Sequence, residues 1–218
     1  MSISGVILDL DGVLIDTESI SKMAWMRAAN EMGFDIPETL YQKLIGISVL
    51  DARKEIASLV NGKIDMDRYM ERSAAIYFNE MESNGVRLMP GVPELFEFLR
   101  QSELKSAIAT SSLEEHAEWK LSKAGLTGMI DDVITGDRTT KGKPAPDLFL
   151  IAAAQIAVKP DACAVVEDAH AGILGAKAAG MVPIMVPGTG TSTAASEKIA
   201  HAVVSDLYEA IGKLQEII

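Results

Sequence analysis

The chain has 218 residues, 48% of them hydrophobic, which is enough to bury a sizeable core and excludes a disordered protein. Its formal net charge of −11, from 31 acidic and 20 basic residues, argues against a large nucleic-acid footprint, because such a footprint needs a basic face. The single cysteine, Cys163, excludes an internal disulfide, and we interpret it as a small buried apolar residue.

The N-terminus has neither a basic start nor a long apolar run, and no apolar segment is long enough to span a membrane. We therefore expect no signal peptide, no membrane association and a cytoplasmic location. The acidic balance does not exclude an anionic substrate, because a few local cations and a metal ion can invert the field at a site.

The first predicted element is a short buried strand, Gly5 to Leu10, which runs into Asp9 and Asp11. From Ser19 the apolar residues recur at helical spacing, and four helices are predicted in succession with no strand among them. These helices run from Ser19 to Gly33, from Pro37 to Gly46, from Leu50 to Val60 and from Asp65 to Met81. Residues 17–86 are therefore predicted to form an inserted helical domain.

Strands and helices alternate after residue 86. Strands are predicted at residues 106–110, 132–135, 162–166, 181–186 and 202–204. Helices are predicted between them and from Asp206 to the C-terminus, and residues 189–196 (TGTSTAAS) are interpreted as a loop. Alternation of this kind indicates a parallel sheet with helices on both faces, and two prolines place the 181–186 strand near an edge. The predicted fold is α/β: a Rossmann-like parallel sheet core, residues 1–16 and 87–218, with an inserted four-helix domain.

Polar groups lie where the predicted strands end, which is where open α/β sheets bind ligands. These groups are Asp9 and Asp11, Thr110 and Ser111, Glu167 and Asp168, and Lys143 on a Gly-Lys-Pro loop. Each one alone is more often a helix cap, a turn residue or a solvated lysine. As a set they combine hard oxygen ligands, which suit magnesium, with hydroxyls and a cation, which suit a phosphate.

Four segments, in chain order, resemble the four motifs of the haloacid dehalogenase-like superfamily, the aspartate-nucleophile phosphohydrolases. They are residues 9–13 (DLDGV), Thr110, Lys143 within KGKPAPD, and Glu167 with Asp168 within VVEDAHAG. The resemblance covers nearly the whole chain, and it implies that the helical insertion is the four-helix cap of this family.

The resemblance implies that Asp9 is the nucleophile that forms an aspartyl phosphate, and that Asp11 is the general acid and base. It implies a magnesium ion with four ligating residues, which are Asp9, Asp11 through its backbone carbonyl, Asp168, and Glu167 directly or through water. It further implies a set of phosphate-binding groups, which are Gly12, Thr110, Ser111 and Lys143, the last also neutralising charge on Asp9. Asp16 is interpreted as a structural residue that fixes the turn into the cap.

The cap decides which ester is bound, and its type resembles that of the β-phosphoglucomutase and sugar-phosphate phosphatase subgroup. The mutase carries a cap histidine and, after a Gly-x-Ser, a cap arginine, where this chain has Ser21 and Val49. These departures favour a phosphatase acting on a small phosphorylated metabolite with one phosphate, a sugar phosphate. A sugar phosphomutase and a non-catalytic phosphate-binding protein are the alternatives.

The cap cations that could contact the substrate are Arg53 and then Arg72 and Lys22, and for each a solvated surface position is an equal alternative. Trp25 is interpreted as a packing residue, with a place in the substrate pocket as the alternative. We expect a monomer, because no apolar helix is left over for an interface.

Overall fold

Two compact units make up the chain. The computed structural model describes residues 2–44, 49–188 and 194–218. The first unit, which we call the core unit, comprises Met1–Asp16 and Arg87–Ile218, and the second, the helical unit, comprises Thr17–Val86.

Within the described part of the helical unit, the chain forms four helices. They are α1 (Thr17–Glu31), α2 (Glu38–Leu44), α3 (Val49–Val60) and α4 (Met66–Asn84). The apolar stripe of α4 faces inward, with Tyr69 and Ile76 buried in a shared apolar core, and Trp25 packs against that core as predicted. The predicted end of the second helix, with the Gly-x-Ser before Val49, falls on residues 45–48, outside the described residues.

The core unit is built on one six-stranded sheet, and every strand pair in it is parallel. The strands are β1 (Gly5–Leu8), β2 (Lys105–Ala109), β3 (Asp132–Ile134), β4 (Cys163–Glu167), β5 (Val182–Met185) and β6 (Ala202–Val203). Their order is β3-β2-β1-β4-β5-β6, so β5 lies next to an edge strand, as its prolines predicted. The parallel α/β fold predicted from the alternation is thereby confirmed.

Six helices of the core unit are described. They are α5 (Val92–Gln101), α6 (Glu114–Lys123), α7 (Asp147–Gln155), α8 (His170–Ala178), α9 (Ala194–Ile199) and α10 (Leu207–Ile217). Helix α7 packs on the sheet, with Phe149 fully buried against residues of β1, β2 and β4. Cys163 is buried in the same cluster, as predicted, and burial raises the pKa of its thiol to about 11.

Two predicted segments are wrong in detail. The loop predicted at residues 189–196 includes the start of α9, because Ala194 and Ala195 are strong helix formers and Ser196 is buried; residues 189–193 lie outside the described residues. The first strand ends at Leu8 rather than Leu10, because the chain turns there and the Leu14 and Ile15 amides donate to the Leu10 carbonyl. Among the described residues, no helix is both long and apolar enough to cross a membrane.

The chain leaves and re-enters the core unit along adjacent segments. The Asp16 amide donates to the Arg87 carbonyl at 2.9 Å, and the Met89 amide donates to the Leu14 carbonyl at 3.0 Å. The side chains of Asp16 and Arg87 also pair at 3.5 Å. Asp16 therefore lies at the start of the insertion, between the turn at residues 12–14 and α1, and its predicted role in fixing that turn stays a prediction.

Two valines of the sheet are expected to contribute differently to the free energy of unfolding. Val165 lies in β4 with no exposed surface, whereas Val203 lies in the edge strand β6 and is 44% exposed. We expect Val165→Ala to lower the free energy of unfolding by about 2–3 kcal/mol, because it removes two buried methyl groups and leaves a cavity. Val203→Ala should change it by less than about 0.5 kcal/mol. Urea unfolding of both variants measures the difference, and equal losses would contradict this view of the core.

Candidate active site

The predicted site residues come together at the carboxyl end of the central strands. Strand β1 pairs with β2 on one side and β4 on the other, with Leu8 in register with Ile108 and Val166. Asp9 follows β1 directly, Thr110 follows β2, and Asp168 follows β4. The parallel register therefore carries these three side chains to one edge of the sheet.

Lys143 lies between two carboxylates. Its Nζ donates to Asp9 Oδ1 at 2.5 Å and to Glu167 Oε1 at 2.6 Å. All three side chains are buried, with at most 8% of any of them exposed. The Lys143 Nζ also lies 5.3 Å from the centre of the Phe149 ring, which attracts a cation. The lysine on the loop thus reaches Asp9, the residue whose charge it was predicted to neutralise, and also Glu167, a contact that was not predicted.

Two glycines bring the backbone close to the acids after β4. The Ala169 amide donates to Glu167 Oε2 at 2.6 Å, which places the Glu167 side chain over the first turn of α8. A Cβ on Gly172 would overlap the Glu167 carboxylate, and a Cβ on Gly12, where φ is 83°, would press on Asp168 Oδ2. Side chains at either glycine would therefore displace a site acid. The predicted phosphate contact of Gly12 stays a prediction.

One lysine does not balance the negative charge of this site. Burial raises the pKa of Asp9 to about 7 against the opposing effect of Lys143, and the neighbouring Glu167 and Asp11 raise it further. Burial also disfavours the Lys143 ammonium, but Asp9 and Glu167 outweigh this and keep its pKa above the ordinary value. The excess of carboxylates makes full ionisation of Asp9 costly unless more positive charge arrives.

A divalent cation fits this arrangement. Asp9, Glu167 and Asp168 are all buried, and each offers a carboxylate oxygen within 4.8 Å of the others. Carboxylate oxygens are the ligands that magnesium prefers, and a cation here would offset the charge excess. These three residues are part of the ligand set that the sequence predicted; the backbone carbonyl of Asp11 stays a prediction.

The loop after β2 is fixed from two sides. Thr110 is buried, and its Oγ1 accepts from the Ser112 amide at 3.1 Å. The Gly136 amide, just beyond β3, donates to the Ser112 carbonyl at 2.9 Å. Ser111 lies between these anchors and is exposed. The loop therefore holds exposed Ser111 between two anchored residues, one of which, Ser112, contacts Asp11.

Asp11 has two partners that the sequence did not predict. Its Oδ2 accepts from the Ser112 hydroxyl at 3.0 Å, and its Oδ1 pairs with Lys120 Nζ at 2.7 Å. Lys120 is on α6 next to the buried Leu121 and one turn from the buried Ala117. A lysine on the apolar stripe of a predicted helix is the signal that could have revealed it.

The cap cations predicted to contact the substrate are paired within the helical unit. Arg53 pairs with Asp67 at 2.6 Å and Lys22 with Glu38 at 3.0 Å. Arg72 forms a two-point ion pair with Glu31. All three pairs are exposed to solvent, as the alternative of a solvated surface position expects. A contact between any of these cations and the substrate stays a prediction.

Comparisons with known proteins agree with this geometry. A model of the haloacid dehalogenase-like hydrolase family matches residues 6–186. A phosphorylated carbohydrates phosphatase of Thermotoga maritima is 29% identical over 180 residues, covering 81% of each chain. The β-phosphoglucomutase of Bacillus subtilis is 30% identical over 191 residues, covering 83% of this chain and 82% of that protein. The structure of a HAD family hydrolase from Deinococcus radiodurans, with bound phosphate and sodium, has a TM-score of 0.85 at 26% identity and covers 99% of this chain and 96% of that chain.

The raised pKa of Asp9 predicts a dependence of stability on pH. Between the ordinary carboxyl value of 3.8 and about 7, folded Asp9 holds a proton that the unfolded chain has released, so stability falls as pH rises through this interval. Asp9→Asn mimics the protonated group and should be more stable than the wild type at pH 8 in EDTA, by on the order of 1–4 kcal/mol. The advantage should vanish near pH 4, and urea unfolding at both pH values measures it. A variant less stable than the wild type at pH 8 would contradict the charge balance described above.

Proposed function

Because the chain belongs to the haloacid dehalogenase-like hydrolases and is a phosphohydrolase, we propose that it is a magnesium-dependent phosphatase of a small sugar phosphate. The observation that carries the proposal is the buried contact of Lys143 with Asp9 and Glu167 beside Asp168. A carboxylate nucleophile, a cation that neutralises it and a ligand set for a metal are the groups that phosphoryl transfer through an aspartyl phosphate requires.

In the first step, an Asp9 carboxylate oxygen attacks phosphorus and the bond from phosphorus to the ester oxygen breaks. Asp11 donates its proton to that oxygen, which leaves as an alcohol. The products are the free sugar and an aspartyl phosphate on Asp9. Lys143, at 2.5 Å from Asp9, keeps the nucleophile oriented and offsets charge on the transferring group.

In the second step, a water oxygen attacks phosphorus and the bond from phosphorus to Asp9 breaks. The Asp11 carboxylate takes a proton from that water, so that inorganic phosphate leaves and Asp9 returns to its starting form. Asp11 therefore ends the cycle protonated and ready to serve as the acid again. One residue can fill both roles because the ester oxygen leaves, and the water oxygen attacks, on the same side of phosphorus, opposite Asp9.

Asp9, Glu167, Asp168 and the Asp11 carbonyl would hold the magnesium ion. When bound, it supplies the positive charge that brings the phosphate and the anionic nucleophile together. The raised pKa of Asp9 supports this assignment, because the protein alone does not hold Asp9 fully ionised near neutral pH. Thr110 and Ser111 would bind phosphoryl oxygens through the hydroxyl and the backbone amide, together with Gly12 and Lys143.

The contacts of the predicted cap cations support a substrate with one phosphate. Arg53 and Lys22 each pair with one acid of the same unit, and Arg72 shares Glu31 with Arg27, so each of these cations already has an acid partner. A second phosphate would need an unbalanced cation to hold it. A sugar monophosphate needs only the core unit for its phosphate and leaves the neutral sugar to polar contacts, with Arg53 as the first candidate.

A sugar phosphomutase is the second candidate, favoured by the identity to the β-phosphoglucomutase of Bacillus subtilis. A mutase would return the phosphoryl group to another hydroxyl of the sugar and would need a bisphosphate to prime Asp9. The absence of the mutase's cap histidine and arginine at Ser21 and Val49 favours the phosphatase.

Phosphate release tests the proposal directly. We expect the purified protein with magnesium to release inorganic phosphate from members of a panel of sugar phosphates, and Asp9→Asn to reduce release to background, because the attacking oxygen is lost. Asp161→Asn, which alters an exposed acid of the same unit, is the matched control and should retain activity. Wild-type rates in Asp9→Asn would refute the nucleophile, and isomerised sugar phosphate in place of free sugar would favour the mutase.

Magnesium binding is expected to be visible without catalysis. A ligand that binds only the folded state at about 100 times its Kd stabilises by about 2.7 kcal/mol, so saturating magnesium should raise the urea midpoint of the wild type. Asp168→Asn should lose most of this increase, because it removes a buried ligand, whereas Asp161→Asn should keep it. An equal increase in Asp168→Asn would place the ion elsewhere.

A further inference from the structure

Lys120 is a buried lysine that the proposed catalytic steps do not use. It lies in α6, and only 8% of the residue is exposed. Its Nζ donates to Asp11 Oδ1 at 2.7 Å and to Ser112 Oγ at 3.0 Å. The Ser112 hydroxyl donates in turn to Asp11 Oδ2 at 3.0 Å. The three side chains therefore form a closed ring of hydrogen bonds.

The burial of Lys120 requires its partners. Lys120 shares the inner face of α6 with Ala117 and Leu121, which are also buried. Moving an ammonium out of water costs several kcal/mol unless it is paired and hydrogen-bonded. The Asp11 carboxylate provides that partner, so the position of Lys120 and the position of Asp11 depend on each other.

The ring holds Asp11 at two points. A carboxylate bound through one oxygen can still turn about its side-chain bonds, whereas separate donors on Oδ1 and Oδ2 fix the plane of the group. The orientation of the Asp11 carboxyl group is therefore set jointly by α6, through Lys120, and by the loop after β2, through Ser112.

The anchor of the ring extends to the edge of the sheet. Ser112 donates its amide to Thr110 Oγ1 at 3.1 Å and accepts the Gly136 amide on its carbonyl at 2.9 Å. Thr110 directly follows β2, and Gly136 lies two residues beyond the end of the neighbouring strand β3. The orientation of Asp11 is thus tied to the same loop that carries the predicted phosphate-binding groups.

We propose that Lys120 is a positioning residue that, together with Ser112, aims the Asp11 carboxyl group at the leaving oxygen of the substrate. This inference rests on the proposed role of Asp11 as general acid. Lys120 itself touches neither the nucleophile Asp9 nor its partner Lys143 in the contacts that the structure describes. Its effect on the reaction passes through Asp11.

The choice of leaving group tests the proposal. A sugar alkoxide needs a proton in order to leave, whereas p-nitrophenolate leaves as an anion. We expect Lys120→Met to lower kcat/KM for the best sugar phosphate by on the order of 100-fold, while kcat/KM for p-nitrophenyl phosphate stays within about threefold of the wild-type value. This ratio reports the step in which the ester oxygen departs.

The matched control is Lys177→Met, which removes an exposed lysine from the last turn of α8, as Lys120 lies in the last turn of α6. It should leave kcat/KM for both substrates unchanged. An equal fall for both substrates in Lys120→Met would show general damage to the site and overturn the proposal, and so would unchanged values for both.

A measurement without catalysis separates this proposal from the function on which it rests. Urea unfolding of Lys120→Met, Asp11→Asn and the double variant gives the coupling between the two side chains, and we expect it to change the unfolding equilibrium constant by on the order of tenfold. If the effects of the two substitutions on the free energy of unfolding are additive, the two side chains are not coupled and the proposal is overturned. If the wild type hydrolyses no phosphate ester, the proposed function fails. The unfolding comparison of the two single variants with the double variant still decides whether Lys120 holds Asp11.

Discussion

The buried contact of Lys143 with Asp9 and Glu167 is the interaction on which the rest of the site depends. An unpaired ammonium or carboxylate at this depth would cost several kcal/mol, so none of the three groups could stay there alone. The parallel sheet supplies the geometry, because β1 and β4 are neighbours in register and end at the same level. The cluster still keeps an excess of negative charge. A bound cation would offset this excess charge and so stabilise the folded protein.

The sequence allowed much of the sheet and part of the site to be predicted. Short apolar runs that end in acids occur at Asp9 and Glu167. The apolar run predicts a buried parallel strand, and the acid at its end predicts the edge of the sheet where ligands bind. The pairing of Lys143 with Asp9 required the family resemblance, since 134 residues separate the two and no local pattern encodes that contact, and the pairing of Lys143 with Glu167 was not predicted. The start of α9 was missed because small residues are compatible with both a loop and a helix.

Lys120 shows why the remaining part of the site could not be predicted. It is 109 residues from Asp11, and its place on the apolar stripe of α6 indicates burial without identifying its partner. Its contact arises from tertiary structure, in which the inner face of α6 meets the turn after β1. Side chains that orient catalytic groups are often of this kind, because they must be close in space and can come from any part of the chain.

Charge is used differently in the two units. The ion pairs of Lys143 are buried, so dissolved salt screens them little, and Lys120 is buried too, whereas its partner Asp11 is 30% exposed. The pairs of Arg53 and Lys22 in the helical unit are exposed and contribute little to stability. Substitutions at these exposed pairs can therefore change surface charge at small cost, whereas substitutions among the buried charges of the core unit change the stability of the folded state.

The adjacent entry and exit of the insertion have a consequence for evolution. The Asp16 amide donates to Arg87, and Leu14 accepts from Met89, so hydrogen bonds within the core unit hold the ends of the intervening segment together. A segment with fixed, neighbouring ends can change in length or sequence, or be exchanged as a cassette, without altering the connectivity of the sheet. A change confined to this segment would leave the acids and Lys143 on an unaltered sheet.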